Sequence, residues 1–262
     1  MLWILFAVAI GFLSWGAWPR PVKGGHGAGA TKNVPVSPGA PGTTLRVATF
    51  NIHGCKGLDS RRDLSRTAND LAGIDIAALQ EVHDSWRAPR QWLRLAGQVG
   101  MGALNSPARR RWFRPHRSNV LLTRHPPGRW SRLPLLDHAV LRSDCRNLTV
   151  VQINAPRPLW ILFTHLNRRE GRDEQLAQVM HMFLRYSPAV LLGDLNIRRD
   201  EPAIRDYLAR GDITDALHAT LDSDDAGRID WILCRELTVR RGGIIASGAS
   251  DHPLYWCDII VE

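Results

Sequence analysis

Four apolar runs in this chain end in residues that can handle a charged oxygen. "TFN" ends at Asn51, "AALQE" at Gln80 and Glu81, "LFTHLN" at His165 and Asn167, and "VLLGDLN" at Asp194 and Asn196. "RIDWIL" sets Asp230 between Ile229 and Trp231, and "SGASDHPL" sets Asp251 and His252 just ahead of the last apolar run. Singly, each has an ordinary structural explanation. Gly, Asp and Asn form turns, a histidine in an apolar run is commonly a hydrogen-bonded core residue, and a glutamate after a strand is commonly solvated. Asp230 resists that treatment, because burying an acid within "IDWIL" is costly unless it has a partner. A histidine is the natural one, since an Asp–His pair fixes the tautomer and stabilises the imidazolium. Glu81 and Asp251 are hard oxygen ligands, and with Asn51 they suit Mg²⁺, which takes few protein ligands and keeps waters. Such a set fits hydrolysis of a phosphate ester, in which a divalent ion offsets phosphoryl charge, positioning supplies much of the rest, and histidines or free carboxylates move the protons.

The elements that must present these residues alternate between strands and helices from Leu45 onward. "LRVATFNI", "IDIAALQE", "SNVLLTR", "RNLTVVQI", "LWILFTHL", "AVLLGDLN", "RIDWILC", "LTVRRGGII" and "HPLYWCDIIVE" read as strands. "RRDLSRTANDLAG", "APRQWLRLAG", "DEQLAQVMHMFLRY" and "EPAIRDYLAR" read as helices, the first stopped by Gly73 and the last carrying Pro202 in its first turn. Consecutive strands without helices between them require antiparallel pairing, so an α/β layered domain with mixed sheets is expected.

The ordered set "TFNIHG", "ALQEV", "SNVLLTR", "FTHLN", "LLGDLN", "RIDWIL" and "SDHPL" resembles the endonuclease/exonuclease/phosphatase superfamily, the DNase I-like metal-dependent phosphoesterases, and in its short connections their compact bacterial members. The resemblance spans about Leu45 to Glu262. It implies a four-layer α/β sandwich with two packed, mixed and largely antiparallel β-sheets flanked by helices. It also implies roles. Glu81 would be the principal Mg²⁺ ligand (Mn²⁺ substituting), with Asn51 beside it and Asp251 in the metal shell. His252, oriented by Asp230, would act on the scissile phosphate or as general base. His165 would bind or protonate the phosphate from the other side. Asp194 and Asn196 would position the attacking water. Asn119 matches a position near the site, and Arg168, directly after "THLN", is a substrate-binding candidate. The choice of base between Asp194 and His252 stays open.

Charge bears on the substrate. The chain of 262 residues carries a net charge of +9, which favours anionic partners. Its only lysines are Lys23, Lys32 and Lys56, and eleven arginines but no acid lie between Ser85 and Leu136. "RRRWFRPHR" interleaves arginine with Trp112 and Phe113, a pattern that could track a phosphate backbone and stack a base; a solvated basic face explains it equally. Nucleic acid and phospholipid are both candidate substrates, and short links between motifs together with the acidic "DSDDAG" weigh against a dedicated DNA-repair enzyme. A catalytically inactive anion-binding module is the alternative outside enzymology. The four cysteines show no metal-finger spacing.

Residues 1–18 are expected to form an apolar membrane anchor or a signal segment, with the membrane side undetermined and export as the alternative. A Gly/Pro-rich tether over 19–43 would join it to a catalytic domain over 44–262. A monomer is expected.

Overall fold

The computed structural model describes residues 2–17, 20–29, 42–84, 90–110, 116–136, 145–155, 157–221 and 227–261. Within them the chain builds two seven-stranded sheets. With strands numbered in chain order, the first sheet runs β1 (Arg20–Pro21), β5 (Gly102–Arg110), β6 (His116–Thr123), β4 (Ile76–Asp84), β3 (Thr43–Asn51), β14 (Leu254–Val261) and β13 (Thr238–Ile245). The second runs β11 (Thr214–Asp215), β12 (Asp230–Arg235), β10 (Ala189–Asp194), β9 (Pro158–His165), β8 (Asn147–Asn154), β7 (Pro127–Pro134) and β2 (Gly25–Ala28). Only β3–β4 and β9–β10 are parallel pairs; the other neighbours are antiparallel.

Strand alternation divides the apolar residues among three interfaces. Val47, Ile76, Ala78 and Leu121 of the first sheet meet Ile161, Phe163, Val190, Leu192 and Ile232 of the second in one buried seam. Their neighbours Phe50, Ala77, Leu79 and Leu122 face outward to α3 (Gln91–Val99), through Trp92 and Leu95, and to Leu71 at the end of α2 (Leu64–Asp70). On the far side, Leu162, Leu191, Trp231 and Leu233 pack on α4 (Arg172–Phe183) and α5 (Pro202–Leu208). Helix, sheet, sheet, helix is the expected four-layer sandwich. The local signals hold as well. Asp63 caps α2 by accepting from the Ser65 amide at 2.8 Å, and Gly73 takes φ 75° just beyond that helix.

Five strands were not expected: the short β1, β2 and β11, and the longer β5 and β7. β5 and β7 carry Pro107, Pro127, Pro134 and several arginines instead of an apolar alternation. The prolines sit where a ladder tolerates them: Pro127 and Pro134 at strand ends, and Pro107 at a register shift. Part of the expected tether is also structured. Arg20–Pro21 pairs with Arg110–Arg109, and Gly25–Ala28 pairs with Arg132–Arg129. Glycine makes the second pairing possible, because a Cβ on Gly27 would fall 2.8 Å from the Trp130 ring.

The N-terminal apolar segment forms α1 (Leu2–Ala17), a helix of 16 residues. At 1.5 Å per residue it reaches about 24 Å, short of the roughly 30 Å of a hydrocarbon core. Among the described residues no helix is long and apolar enough to cross a membrane, so the expected spanning anchor has no support in the fold. The acidic stretch 222–226 and the centre of the arginine–aromatic motif, 111–115, lie outside the described residues. Cys55, Cys234 and Cys257 are buried free thiols, as their apolar surroundings suggest.

One charged row crosses three strands on the outer face of the first sheet. Asp258 on β14 pairs in register with both Arg46 on β3 and Arg241 on β13. Arg46 Nε and Nη2 donate to its two oxygens at 2.8 and 3.1 Å, and Arg241 Nε donates to Oδ2. The Arg46 guanidinium also lies 4.0 Å from the centre of the Trp256 ring. Burial alone would raise the pKa of Asp258, but the two arginines outweigh it and hold the carboxyl below its ordinary value. A depressed folded pKa means that the stabilisation is complete above the unfolded carboxyl's pKa of about 3.9 and is lost as pH falls through the folded value. Asp258→Asn is therefore expected to cost about 2 kcal/mol at neutral pH and to lose stability less steeply than wild type below about pH 4. Urea titrations of both proteins between neutral and acid pH check this.

Candidate active site

The seam between the sheets is apolar along its length and polar at one end. Alternation continues inward from Val47 to Asn51, from Phe163 to His165, from Leu192 to Asp194 and from Ile232 to Asp230. All four polar residues therefore point between the sheets, where β3, β9 and β10 finish and β12 begins. Ladder register then aligns them. Asp194 stands opposite His165 in the parallel β9–β10 pair and opposite Asp230 in the antiparallel β10–β12 pair.

Asp194 Oδ2 is the meeting point. Asn51 Nδ2 reaches it from the first sheet at 3.0 Å, His165 Nε2 lies at 3.3 Å, and His252 Nε2 at 4.0 Å. Its other oxygen accepts from the Asn196 amide at 3.0 Å, an Asx turn that fixes the carboxylate. His252 Nδ1 is 2.7 Å from Asp230 Oδ2, the pairing expected of a buried acid in "RIDWIL". The other oxygen of Asp230 is buried and makes no hydrogen bond.

Burial and charge separate these groups electrostatically. Burial raises the pKa of Asp194, and the neighbouring Asp230 carboxylate adds to it. Asp230 is raised too, by burial. Burial opposes protonation of His252, but the hydrogen bond and charge of Asp230, with the charges of Asp194 and Asp251, outweigh it and push the imidazole up to about 9. His252 is thus an imidazolium at neutral pH. His165, fully enclosed, is driven well below its ordinary value by burial and then by Arg146, His252, Arg117 and Arg168, and is neutral.

Glu81 reaches the same space by a local irregularity. Leu79 pairs with Val120 and Val82 with Ser118, so Gln80 and Glu81 together face the single residue Asn119. This two-against-one bulge, with Glu81 at φ 55°, turns a side chain toward the seam that regular alternation would send outward. Glu81 Oε1 lies 3.2 Å from Arg117 Nη1. A shallow pocket, open to solvent, is lined by Glu81, Asn119 and His165 among others. Asn119 itself is buried, with its amide 3.5 Å from Asn147 Oδ1.

The remaining expected residues are peripheral or engaged. Asp251 is half exposed, its Oδ1 3.3 Å from His53 Nδ1 and 3.2 Å from Ser250 Oγ. Asn196, at φ 53°, turns its amide inward to donate to the Leu166 carbonyl at 3.0 Å, bracing the end of β9. Arg168 is exposed on the loop after β9. Three residues were missed: His53, Arg117 and Arg146. Arg117 was accessible by alternation from Asn119, two residues on; His53 and Arg146 carried no local signal.

The donor set fits a hard cation. Asp194, Asp230 and His252 cluster within 4.8 Å, but His252, as an imidazolium bonded to Asp230, is not a ligand there. Glu81, Asn51 and Asp251 stand at adjacent chain ends of the first sheet: Asn51 is in register with Gln80, and Ser250 Oγ donates to the Asn51 carbonyl at 2.7 Å.

The profile of the "Endonuclease/Exonuclease/phosphatase family" matches residues 48–252. The chain belongs to that family. Its members are phosphoesterase hydrolases, generally metal-dependent. No functionally curated protein matches the sequence significantly. Among solved structures, an endonuclease/exonuclease/phosphatase from Beutenbergia cavernae is similar at 23% identity and TM-score 0.70, over 83% of this chain and 72% of that one. A mannosyl-6-phosphatase from Bacteroides thetaiotaomicron is similar at 16% identity and TM-score 0.63, over 82% and 99%. D. rerio TDP2 with a single-strand DNA product is similar at 15% identity and TM-score 0.59, over 83% and 99%. At such identities the likeness speaks for the fold.

The glycine of "GDLN" has a steric reason. A Cβ on Gly193 would fall 2.3 Å from the Thr164 carbonyl oxygen, one residue before the aligned Asp194 and His165. Gly193→Ala is expected to force β9 and β10 apart and cost about 1–3 kcal/mol. Gly97→Ala, in α3 with nothing within 4 Å of its Cβ, should be neutral or stabilising by up to about 1 kcal/mol. Chemical denaturation of the two variants tests the contrast.

Proposed function

We propose that this chain is a Mg²⁺-dependent phosphoric ester hydrolase of the phosphodiesterase or nuclease type. The observation that best supports it is the convergence of Asn51, His165 and His252 on one carboxylate, Asp194, at the mouth of the seam. Glu81, Asn51 and Asp251 would hold the ion, and the chemistry such an ion supplies when bound is charge neutralisation at the phosphoryl oxygens. His252, fixed by Asp230 at Nδ1, presents Nε2 to the reacting phosphate as a charged donor. Asp194, desolvated and held at both oxygens, is the group that takes the proton of the attacking water. His165, neutral and with Nε2 turned to Asp194, holds that carboxylate in place and flanks the reacting phosphate on the other side. An inactive anion-binding module would not need this arrangement.

Nucleic acid is the preferred substrate class. The net charge of +9 favours a polyanion, and one similar structure, TDP2, holds a single-strand DNA product. The phospholipid alternative rests on the N-terminal apolar segment and the basic patches near it, and one assay tests both. A panel of plasmid DNA, RNA, bis-p-nitrophenyl phosphate and sphingomyelin or phosphoinositide vesicles separates these classes. Turnover is expected with Mg²⁺ or Mn²⁺, on nucleic acid first, and falling steeply with salt. His252→Gln and Glu81→Gln should each lower kcat by about 10²–10⁴-fold, Glu81→Gln with the thermal midpoint nearly unmoved and His252→Gln with a lowered one, since it leaves the buried Asp230 without its imidazolium. Activity unchanged in excess EDTA would overturn the metal assignment.

A further inference from the structure

Exposed apolar side chains are not spread evenly over this molecule. Among the described residues, the large ones lie on α1 and at three places on the body: Leu58, 73% exposed, Leu136, 59%, and Ile244, 42%. All three are at the mouth end of the seam. Leu58 follows β3 past Asn51. Leu136 follows β7, whose Pro134 pairs with Asn147, one position from the Leu148–Thr164 pair beside His165. Ile244 on β13 is in register with Tyr255, shortly after His252. The two leucines are held in place. Leu58 donates its amide to the Gly248 carbonyl at 3.0 Å, and Leu136 donates to Gln178 Oε1 and accepts from Gln175 Nε2, each at 3.2 Å. The apolar helix arrives at the same end. Arg20–Pro21 pairs with Arg110–Arg109, next to Arg117, which lies 3.2 Å from Glu81, and Gly25 pairs with Arg132 of the second sheet. Only residues 18 and 19 separate α1 from β1, so Cα steps of about 3.8 Å hold the end of the helix within about 11 Å of Arg20. Trp3, Ile4, Leu5 and Phe6 make one full turn of α1, and all four are exposed, so the body covers no side of it there.

We propose that α1 embeds in a phospholipid bilayer and that Leu58, Leu136 and Ile244 rest on the same surface, so that the mouth of the seam faces the lipid. A second copy of the helix would cover one stripe of α1, whereas a lipid phase covers every side of it. Embedding does not require spanning. The exposed Lys23, Arg61, Arg168 and Arg169 lie at the mouth end too, and with the net charge of +9 they favour anionic headgroups. The pairings of β1 and β2 fix the orientation, because they put two ladders where a free tether would let the domain turn. The inference takes the position of the mouth from the phosphoesterase reading and adds the partner. Seated this way, the centre is reached along the headgroup layer, and vesicles compete with soluble polyanions for the mouth whichever ester is cleaved.

The full-length protein with vesicles of phosphatidylcholine and phosphatidylglycerol tests this without turnover. An environment-sensitive dye is attached in a Cys145→Ser background, where the remaining cysteines are buried. It is placed at Leu58→Cys, at Leu136→Cys and, at the opposite end of the first sheet, at Ala72→Cys, an exposed position ahead of β4. The dyes replacing Leu58 and Leu136 should shift to the blue and be quenched by nitroxide-labelled lipid, and the dye replacing Ala72 should not. Flotation tests the helix. Wild type should rise with the vesicles, and the double variant Leu5→Asp, Ile10→Asp should do so about tenfold less, because a carboxylate is costly in hydrocarbon. Wild type that stays in solution, or that associates with itself instead of with lipid, overturns the proposal. So does quenching that is absent from the dyes at the mouth or equal at both ends. Quenching at the mouth in a chain that cleaves no ester supports the docking and counts against the hydrolase reading alone. Turnover with the mouth dyes unquenched keeps the hydrolase and overturns the docking.

Discussion

The structure depends on a contact that it must hold against its own repulsion. Asp194 and Asp230 are facing residues on β10 and β12, both buried and both pointing into the seam. Facing like charges destabilise a sheet, and burial makes each carboxylate dearer. What keeps them there is assigned separately to each. Asp230 has the His252 imidazolium, and Asp194 has the Asn51 amide and the Asn196 backbone. Each partner comes from a different segment, so the pair persists only while both sheets stay packed. The apolar seam below, filled by Phe163, Val190, Leu192 and Ile232, meets that condition.

Strand alternation makes the rest follow. Once Val190 and Leu192 face the opposite sheet, Asp194 must as well, and the same holds for Ile232 with Asp230 and Phe163 with His165. The site is the continuation of the core pattern past the point where the core ends. Where alternation would misplace a residue, the backbone departs from it. Glu81, Asn196 and His53 all adopt positive φ without being glycine. Such conformations cost about 1–3 kcal/mol each and persist where surrounding structure over-determines them. Glu81 is held by the bulge opposite Asn119, and Asn196 by its bond to the Leu166 carbonyl.

The central strands were legible because each is a short apolar run that ends sharply, as "AVLLGD" does. The Asp230–His252 pair was legible from chemistry, since an acid flanked by Ile229 and Trp231 demands a partner. The edges were not. β1, β2, β5 and β7 are held by backbone pairing, which leaves little mark on side-chain pattern, and prolines and glycines there imitate loops. The Glu81 bulge was equally hidden, because one extra residue in a strand changes no residue type. His53 and Arg146 belong to the site through contacts with Asp251 and Asn167, far away in sequence. The N-terminal segment was legible as an apolar run, and it forms a helix of 16 residues.

The excess of arginine is likewise not one feature. Several arginines are structural parts whose charge is consumed locally. Arg228 is buried against Asp215 at 2.7 Å and donates to the Asp230 carbonyl at 2.8 Å, which sets the strand that carries the acid. Arg172 donates to the Asn196 carbonyl and to Glu201, fixing the turn after Asp194. Arg235 caps α4 by donating to the carbonyls of Leu184 and Tyr186. Net charge therefore overstates the uniformity of the surface and understates its concentration. Arg117, by contrast, stands at the site itself, 3.2 Å from Glu81, where its charge bears directly on the acid expected to hold the ion.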